Sequence, residues 1–556
     1  MPFGILECDA VENVPGTAIV SDQDDLPPEY SLVPRDQLKH GKGRFSSVIL
    51  VPQPSDDPND PLNWPQWRKE SVLLIIGLAA GVAGSYGPML SPGFVEIAKE
   101  LGISVSQLAQ ATAWMILTIG LSLFVLNPLA KVYGRRPIYI FSIVMLFISS
   151  VVGGTANEFH MFEASRIIGA FGLAPFELLV QCTIGDLYFV HERGTRIAFW
   201  NMCLLCGINA GALISGYVIE NLGWKWCFWI CAILYGVLLL LIVFFVPETC
   251  YNRESSIVVR AMVDEAKGDH IAAMHLETKQ NKIRKKASEF EQSTSDSSIN
   301  GIQRKMSYWH SLHLYSGRYS NASLFKVAAR PFILFWYPAV FVLFAVFGVM
   351  MCWSVVYSNV IGVIFVAPPY NFSVSQAGLT SLSPLILAII GEVVSGPLND
   401  AICLYLTRKN KGIYEPEFRL VLIVVVIILS TVGFFGFGAT VHYQTHWTGP
   451  VLTYGLSNMA LAFTSTCLYG YVLDCYPTLN AEAFVALNLR NILAFGMSYV
   501  IEDWLVNSGV LNVFVVLGSI ILATCSLTVP LWIFGKKCRS WTGRNKWLTE
   551  FMSDYD

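Results

Sequence analysis

The chain has 556 residues, of which 54% are hydrophobic and only 14% charged, with a net charge of −3. An average soluble domain carries about 25% charged residues, so this chain lacks the polar groups to clothe a soluble surface, and its apolar excess must face lipid. The small negative charge excludes a basic nucleic-acid binder, and a mean hydropathy of +0.51 points to a helical membrane protein.

Residues 1–69 read as a polar, acidic, proline-bearing tail, mostly disordered, with no signal peptide. Spanning a bilayer takes about 20 apolar residues. Six such runs follow, near 71–91, 107–127, 137–155, 160–184, 197–219 and 225–246, within an N-terminal bundle over 70–247. A polar central loop occupies 248–330. Its residues 255–290 have helical spacing, and 291–298 read as disordered. Six more runs lie near 331–358, 375–398, 418–440, 448–474, 482–506 and 510–535, within a second bundle over 331–535, and a tail closes the chain over 536–556. The expected fold is an all-α polytopic membrane protein, with twelve transmembrane helices in two six-helix pseudo-repeats.

Lysine and arginine set the orientation, because basic residues stay in the cytoplasm. Arg68 and Lys69 precede the first run. Lys131, Arg135 and Arg136 follow the second, Arg193 and Arg196 the fourth, and Arg408, Lys409 and Lys411 the eighth. Lys536, Lys537, Arg539, Arg544 and Lys546 follow the twelfth, while the opposite loops carry Lys99 and Lys225. Both termini and the central loop are therefore expected in the cytoplasm, and the protein in the cell membrane. The loop 359–374 is expected outside, with Asn371 in the sequon Asn371-Phe372-Ser373 as its glycosylation site. The sequon at Asn321 should stay bare.

The halves look like copies. Asn127-Pro128-Leu129-Ala130-Lys131 and Gly134-Arg135-Arg136 follow the second run, and Gly396-Pro397-Leu398-Asn399-Asp400 and Arg408-Lys409 follow the eighth. Asn201 lies fifteen residues past Asp186, at the end of the fourth run, and Asn488 fourteen past Asp474, at the end of the tenth. Parallel repeats of this kind hold a substrate site between them, near the midplane.

An ionisable residue deep in a span costs about 2.5–3.5 kcal/mol on insertion scales and marks a pathway. Glu177 lies nine residues before Asp186, roughly 13 Å inside at 1.5 Å per residue. Eleven helical steps bring it to within about 20° of Arg166. Arg166, Glu177 and Gln181 thus form a polar stripe expected to face a central cavity. Glu392 lies eight residues before Asp400 and is expected to face Glu177 across the halves. Tyr86, Trp353, Tyr357 and Tyr471 are candidate cavity walls, with Trp114 and Tyr469 beside them. Aromatic rings with buried carboxylates suit an amphipathic cation. The thirteen cysteines lie mostly in apolar runs and read as small buried hydrophobes. The nine histidines show no metal spacing, and no phosphate-binding loop is present. No catalytic set, metal or cofactor is expected.

These residues resemble the major facilitator superfamily over about 58–535. Asp60-Pro61-Leu62-Asn63-Trp64 and Pro247-Glu248-Thr249 look like its fungal members. Pro175-Phe176-Glu177-Leu178, Asp186 and His191-Glu192-Arg193-Gly194 are similar to fungal 12-span drug:proton antiporters. Val51-Pro52-Gln53-Pro54-Ser55 resembles fungal carriers of polyamines and other cations. The family's cytoplasmic loop motif is matched by Leu129, Ala130, Gly134, Arg135 and Arg136. Lys131 replaces its acid, which only Asp400 in the second copy retains. By resemblance, that motif latches the halves, Arg166 takes part in proton coupling, and Gly207, Gly211 and Gly216 match the helix 5 antiporter motif, in which Ser215 replaces a glycine and Ala212 the proline; Glu177, deep in the span beside Arg166, is expected to carry the coupled proton. Small residues at 207, 211 and 215 also line one face, which admits a close neighbour helix.

The resemblance implies a proton-coupled secondary transporter working by alternating access. Its partners are a small-molecule substrate, protons and the bilayer, with no nucleic acid, and it is expected to be a monomer. Export of drugs or fungal secondary metabolites is the first reading, and uptake of polyamine-like cations the second. A membrane sensor needs a long signalling tail, and only about 20 residues follow the last run. A membrane enzyme has no supporting motif.

Overall fold

The computed structural model describes residues 5–6, 18–19, 39, 50, 53–55, 57–251, 308–314, 317–319, 323–410, 413–476 and 480–552. Every predicted run falls largely on helix. The first half holds α1 (Gln66–Ser85), α2 (Val105–Tyr133), α3 (Arg136–Thr155), α4 (Phe159–Leu187), α5 (Val190–Leu222) and α6 (Lys225–Phe245). The second holds α7 (Pro338–Ile364), α8 (Leu382–Lys409), α9 (Ile423–His442), α10 (Thr448–Cys475), α11 (Asn480–Leu487), α12 (Arg490–Ser526) and α13 (Thr528–Arg544). Gly509, at φ 75°, breaks α12 between the eleventh and twelfth predicted runs. Such a backbone conformation favours glycine, which has no Cβ.

Among the described residues, ten helical stretches are long and apolar enough to cross a membrane. Of the other two predicted spans, α1 opens on the charged run Arg68-Lys69-Glu70, and α10 dilutes its apolar residues with glycine, serine and threonine. Four predicted spans cross a helix break: 482–506 between α11 and α12, 510–535 between α12 and α13, and two more. The run 331–358 crosses two helices, Leu324–Leu334 and α7, because Pro338 opens a new helix at its first turn. The run 375–398 begins in a short helix, Val374–Leu379, that stops before α8.

Two pieces of the tail expected to be disordered are docked. The Leu6 amide donates to the Ile533 carbonyl at 3.0 Å, and Ile5 is buried against Cys403 and Phe418. Ala18–Ile19 pairs antiparallel with Ile413–Tyr414. An apolar side chain and a strand edge give this part of the tail both burial and backbone partners. The expectations for 255–290, 291–298 and the sequon at Asn321 lie outside the described residues.

The pseudo-repeat reappears as chemistry at the end of the bundle that carries the termini. Arg135 meets Asp186 at 2.7 Å, and Arg419 meets Asp474 at 2.5 Å. Burial works against the charge on Arg135, but the Asp186 carboxylate outweighs it and keeps the guanidinium protonated. The amides of Arg135 and Arg136 donate to Glu248, while Arg136 also caps the carbonyls of Val243 and Val246. In the second half the polarity is reversed, and Arg539 meets Glu417 at 2.7 Å and Glu415 at 2.9 Å.

The halves touch at both ends. Near the termini, Lys131 of α2 reaches Glu482 of α11 at 2.9 Å, and Phe124 stacks on Phe332. At the opposite end, the Ser91 and Ser358 hydroxyls are 2.6 Å apart, and Glu220 of α5 accepts from the Ser375 amide at 2.6 Å. Alpha-carbon contact between Gly216 and Gly378 joins α5 to the short helix before α8, where a Cβ on either glycine would crowd the other's backbone.

Candidate substrate and proton site

Two clusters of polar side chains cross the seam between the halves. In the first, Glu177 of α4 pairs with Arg490 of α12 at 3.4 Å, with side chains 18% and 6% exposed. The Arg490 guanidinium lies 5.0 Å from the Phe347 ring centre. Tyr469 of α10 lies within electrostatic reach of Arg490, Glu177 and Glu392. In the second cluster, Glu392 of α8 is buried, and its Oε1 accepts from Asn201 Nδ2 of α5 at 2.6 Å. The Ser465 hydroxyl of α10 lies 3.3 Å from the same oxygen.

The two clusters are related by the duplication. Ser465 lies nine residues before Asp474, as Glu177 lies nine before Asp186. Arg490 lies sixteen residues past Asp474, and Asn201 fifteen past Asp186. Equivalent helix positions therefore meet in both clusters, but with different charge. The first cluster is a closed ion pair. In the second, the acid comes from α8, its two partners are neutral, and among the described residues no cation stands within ion-pair distance. An acid without a counter-charge at this depth holds either a proton or a cationic ligand.

The expected stripe along α4 is divided. Arg166 is fully buried inside the first half, where it donates to the Tyr86 and Gly87 carbonyls, each at 2.7 Å, and stacks on the Tyr86 ring. Arg166 and Glu177 lie on one continuous helix with Pro175 between them, but their side chains end in different places, Arg166 within the first half and Glu177 at the seam. Gln181 is buried, with Oε1 unpartnered. Nor do Glu177 and Glu392 pair with each other; each has its own partners, with Tyr469 between.

Of the candidate cavity walls, Tyr86 is fully buried against Ser149, Ser165 and Arg166. Tyr471 is also fully buried in the second half. Trp353 is buried with an unpartnered Nε1. Tyr357 packs in an aromatic cluster with Phe434, Phe437, Tyr454 and Phe514, and lines a small cavity with Ser457 and Asn458. A small cleft of ≈ 30 Å³ lies between the halves. It is walled by hydroxyls and amides, among them Ser91, Asn209, Ser354, Ser358, Tyr454 and Asn458. Tyr86, Trp353 and Tyr471 line neither space, because large rings inside a six-helix half serve its packing first.

The small-residue motif packs against α1. A Cβ on Gly207 would collide with the Gly81 carbonyl, and one on Gly211 with Ser85, while Ser215 is buried and Gly216 turns to the other half. Cys203 and Cys206 form a C-x-x-C spacing in α5, and Cys203 lies beside Gly77 and Gly81 of α1. Both are free thiols, and no group of potential metal ligands occurs among the described residues. In the loop motif, Gly134 takes φ 102°, and Asp400 is largely exposed, 3.7 Å from Arg419. Lys131 stands where the family acid would, and Glu482 supplies the opposite charge across the seam. Asn371 is exposed, with φ 51°.

Sequence reasoning missed Arg490, Asn201 and Ser465 as site residues. Arg490 left a signal, an arginine inside the predicted run 482–506. Asn201 was visible only as a mark of the duplication, and Ser465 not at all.

Residues 72–501 match the family model for the Major Facilitator Superfamily. An uncharacterized MFS-type transporter of Schizosaccharomyces pombe is 25% identical, covering 96% of this chain and 94% of its own. Protein HOL1 of Saccharomyces cerevisiae is 24% identical over 96% of this chain and 97% of its own. Efflux pump radE of Floropilus chiversii is 26% identical over 80% of this chain and 76% of its own. The xylose transporter XylE from E. coli, in a partially occluded inward-open conformation, shares the fold with a TM-score of 0.52 at 15% identity, covering 84% of this chain and 98% of that one. The human organic anion transporter MFSD10 does so with a TM-score of 0.50 at 16% identity, over 83% of this chain and 99% of that one.

Proposed function

The chain belongs to the major facilitator superfamily of membrane transporters, and on that premise we propose that it is a proton-coupled antiporter exporting small organic cations across the cell membrane. Both termini lie in the cytoplasm, and Glu392 is the coupling acid. The single observation that carries this reading is the solitary carboxylate of Glu392, held at the seam by Asn201 and Ser465 without a cation.

Charge accounting sets the substrate class. Glu177 and Arg490 cancel. With a proton on Glu392 the seam is neutral and empty, and with the proton gone it is neutral when one monovalent cation is bound. Any other occupancy leaves a net charge in a low-dielectric site, which is costly. One proton therefore exchanges for one positive charge, and the rings of Tyr469 and Phe347 add cation–π attraction. This moves the coupling acid from Glu177, where the sequence alone places it, to Glu392. Arg166 is assigned to holding α1 and α4 together.

Uptake of polyamine-like cations is the second reading, supported by the resemblance of Val51-Pro52-Gln53-Pro54-Ser55 to fungal carriers of polyamines and other cations. Polyamines carry several charges at neutral pH, and one solitary carboxylate balances only one.

The test is a growth and efflux panel in a transporter-depleted fungal strain, using monovalent organic cations, polyamines and neutral metabolites, each with and without a protonophore. Cations that the protein exports are then followed in reconstituted vesicles with an imposed pH gradient. Monovalent cations should accumulate against their gradient in wild type and not in Glu392→Gln. Uphill transport by Glu392→Gln with unchanged pH dependence would remove Glu392 from the coupling.

A further inference from the structure

The geometry points to Asn201 as the positioning residue through which the first half senses the charge on Glu392. This rests on the assignment of Glu392 as the coupling acid.

Among the described residues, Asn201 is the hydrogen-bond partner that Glu392 has from the opposite half. Its other partner, Ser465, sits on α10 in Glu392's own half. Asn201 Nδ2 also lies 3.2 Å from the Ser465 hydroxyl, so the amide is held between two groups of the second half. Both Asn201 and Glu392 are buried. A hydrogen bond to an ionised acceptor is roughly twice as strong as one between neutral groups. The α5–α8 contact is therefore tight when Glu392 is charged and looser when it is protonated. Alternating access requires helices of opposite halves to part, and this contact makes parting at the seam depend on one proton.

Other groups around Glu392 do not supply such a link. Cys206 of α5 is within electrostatic reach, but no hydrogen bond joins them. Tyr469 of α10 lies between Glu392 and the Glu177–Arg490 pair, and that pair is already neutral. The Ser395 hydroxyl of α8 is committed to Thr466 at 2.7 Å and to the Glu392 backbone carbonyl. Without Asn201, Glu392 would keep Ser465, and its charge would no longer be felt across the seam.

The experiment needs no substrate. Spin labels carried on unnatural amino acids at Leu222 and Tyr443, exposed positions at the ends of α5 and α9, report the distance between the halves and leave the native cysteines in place. Distances are measured in lipid nanodiscs between pH 5 and 9. The wild-type distribution is expected to shift with pH. Losing a charge-assisted hydrogen bond from one protonation state moves a midpoint by about one to two pH units. Asn201→Leu should therefore displace the midpoint by that much toward higher pH, since the lost donor favoured the charged form. Asn201→Ser, which retains a donor and is less disruptive if Leu misfolds, should fall between the two. Glu392→Gln should flatten the response. A wild-type midpoint in both Asn201 variants, with a flat Glu392→Gln, overturns the role of Asn201 alone. A full wild-type response in Glu392→Gln, or no response in wild type, overturns the Glu392 assignment and this inference with it.

Discussion

Removing both members of the Glu177–Arg490 pair should do less harm than the two single losses added together. At 3.4 Å and an effective dielectric constant near 20, the Coulomb attraction is about 5 kcal/mol. Desolvation takes back much of it, because Arg490 is 6% and Glu177 18% exposed. The separation also exceeds the 2.7–2.9 Å usual for a charged N–H···O contact. Glu177→Gln leaves a guanidinium in the seam with only Tyr469 and the Phe347 ring for company. Stranding a buried charge costs about 3–5 kcal/mol, and the remaining contacts put this one near the lower bound. Arg490→Gln strands the carboxylate at a similar cost. The double variant strands nothing, so its loss should be about 2 kcal/mol smaller than the sum of the singles. Unfolding in SDS mixed micelles measures all four corners of the cycle. Additivity within about 0.5 kcal/mol would refute the pair as an energetic unit. In vesicles, Glu177→Gln should lower the rate yet retain the pH dependence of exchange, in contrast to Glu392→Gln.

Gly211→Leu should be poorly expressed or destabilised by more than about 3 kcal/mol, because even a Cβ there meets the backbone of Ser85; normal yield and thermal stability would show that α5 packs differently against α1. At the terminal end, Glu482 is shared by Lys131, 29% exposed, and Arg330, 1% exposed. Arg330→Leu should therefore cost about 3 kcal/mol and Lys131→Leu about 1 kcal/mol or less in thermal unfolding, and the reverse order would refute the assignment of Arg330 as the buried partner. Asn371→Gln should abolish any glycosidase-sensitive mass shift of the protein made in a fungal host, and a shift that persists in this variant places the glycan elsewhere.

Much of the fold was legible because its cause is local. A bilayer-length apolar run must close its own backbone hydrogen bonds and so becomes a helix, and the charged loops and repeated motifs mark where each helix ends. The duplication was readable for the same reason, since Asp186 and Asp474 sit at matching helix ends and take matching arginine partners. One partner was misplaced. The sequence aligns Arg408 and Lys409 with Arg135, whereas Arg419 takes that role, brought to Asp474 by the turn preceding α9.

The site was only half legible. Glu177 and Glu392 stand out in any reading, because an acid inside an apolar helix is expensive. Which of them carries a net charge depends on what neighbouring helices bring, and helical periodicity along one element cannot supply that. Arg490 lies 313 residues from Glu177, and Asn201 lies 191 from Glu392. Arg166 and Glu177 share a face by arithmetic, but the long arginine side chain reaches the carbonyls of Tyr86 and Gly87 at the end of α1. The sequence by itself determined the helices, their pairing into halves and the presence of costly acids, because those follow from local hydropathy and spacing. Only the tertiary structure decided that Glu177 is neutralised and Glu392 is not, because the electrostatic state of a buried group is set by the atoms within a few ångströms of it, and those atoms come from the other half of the chain.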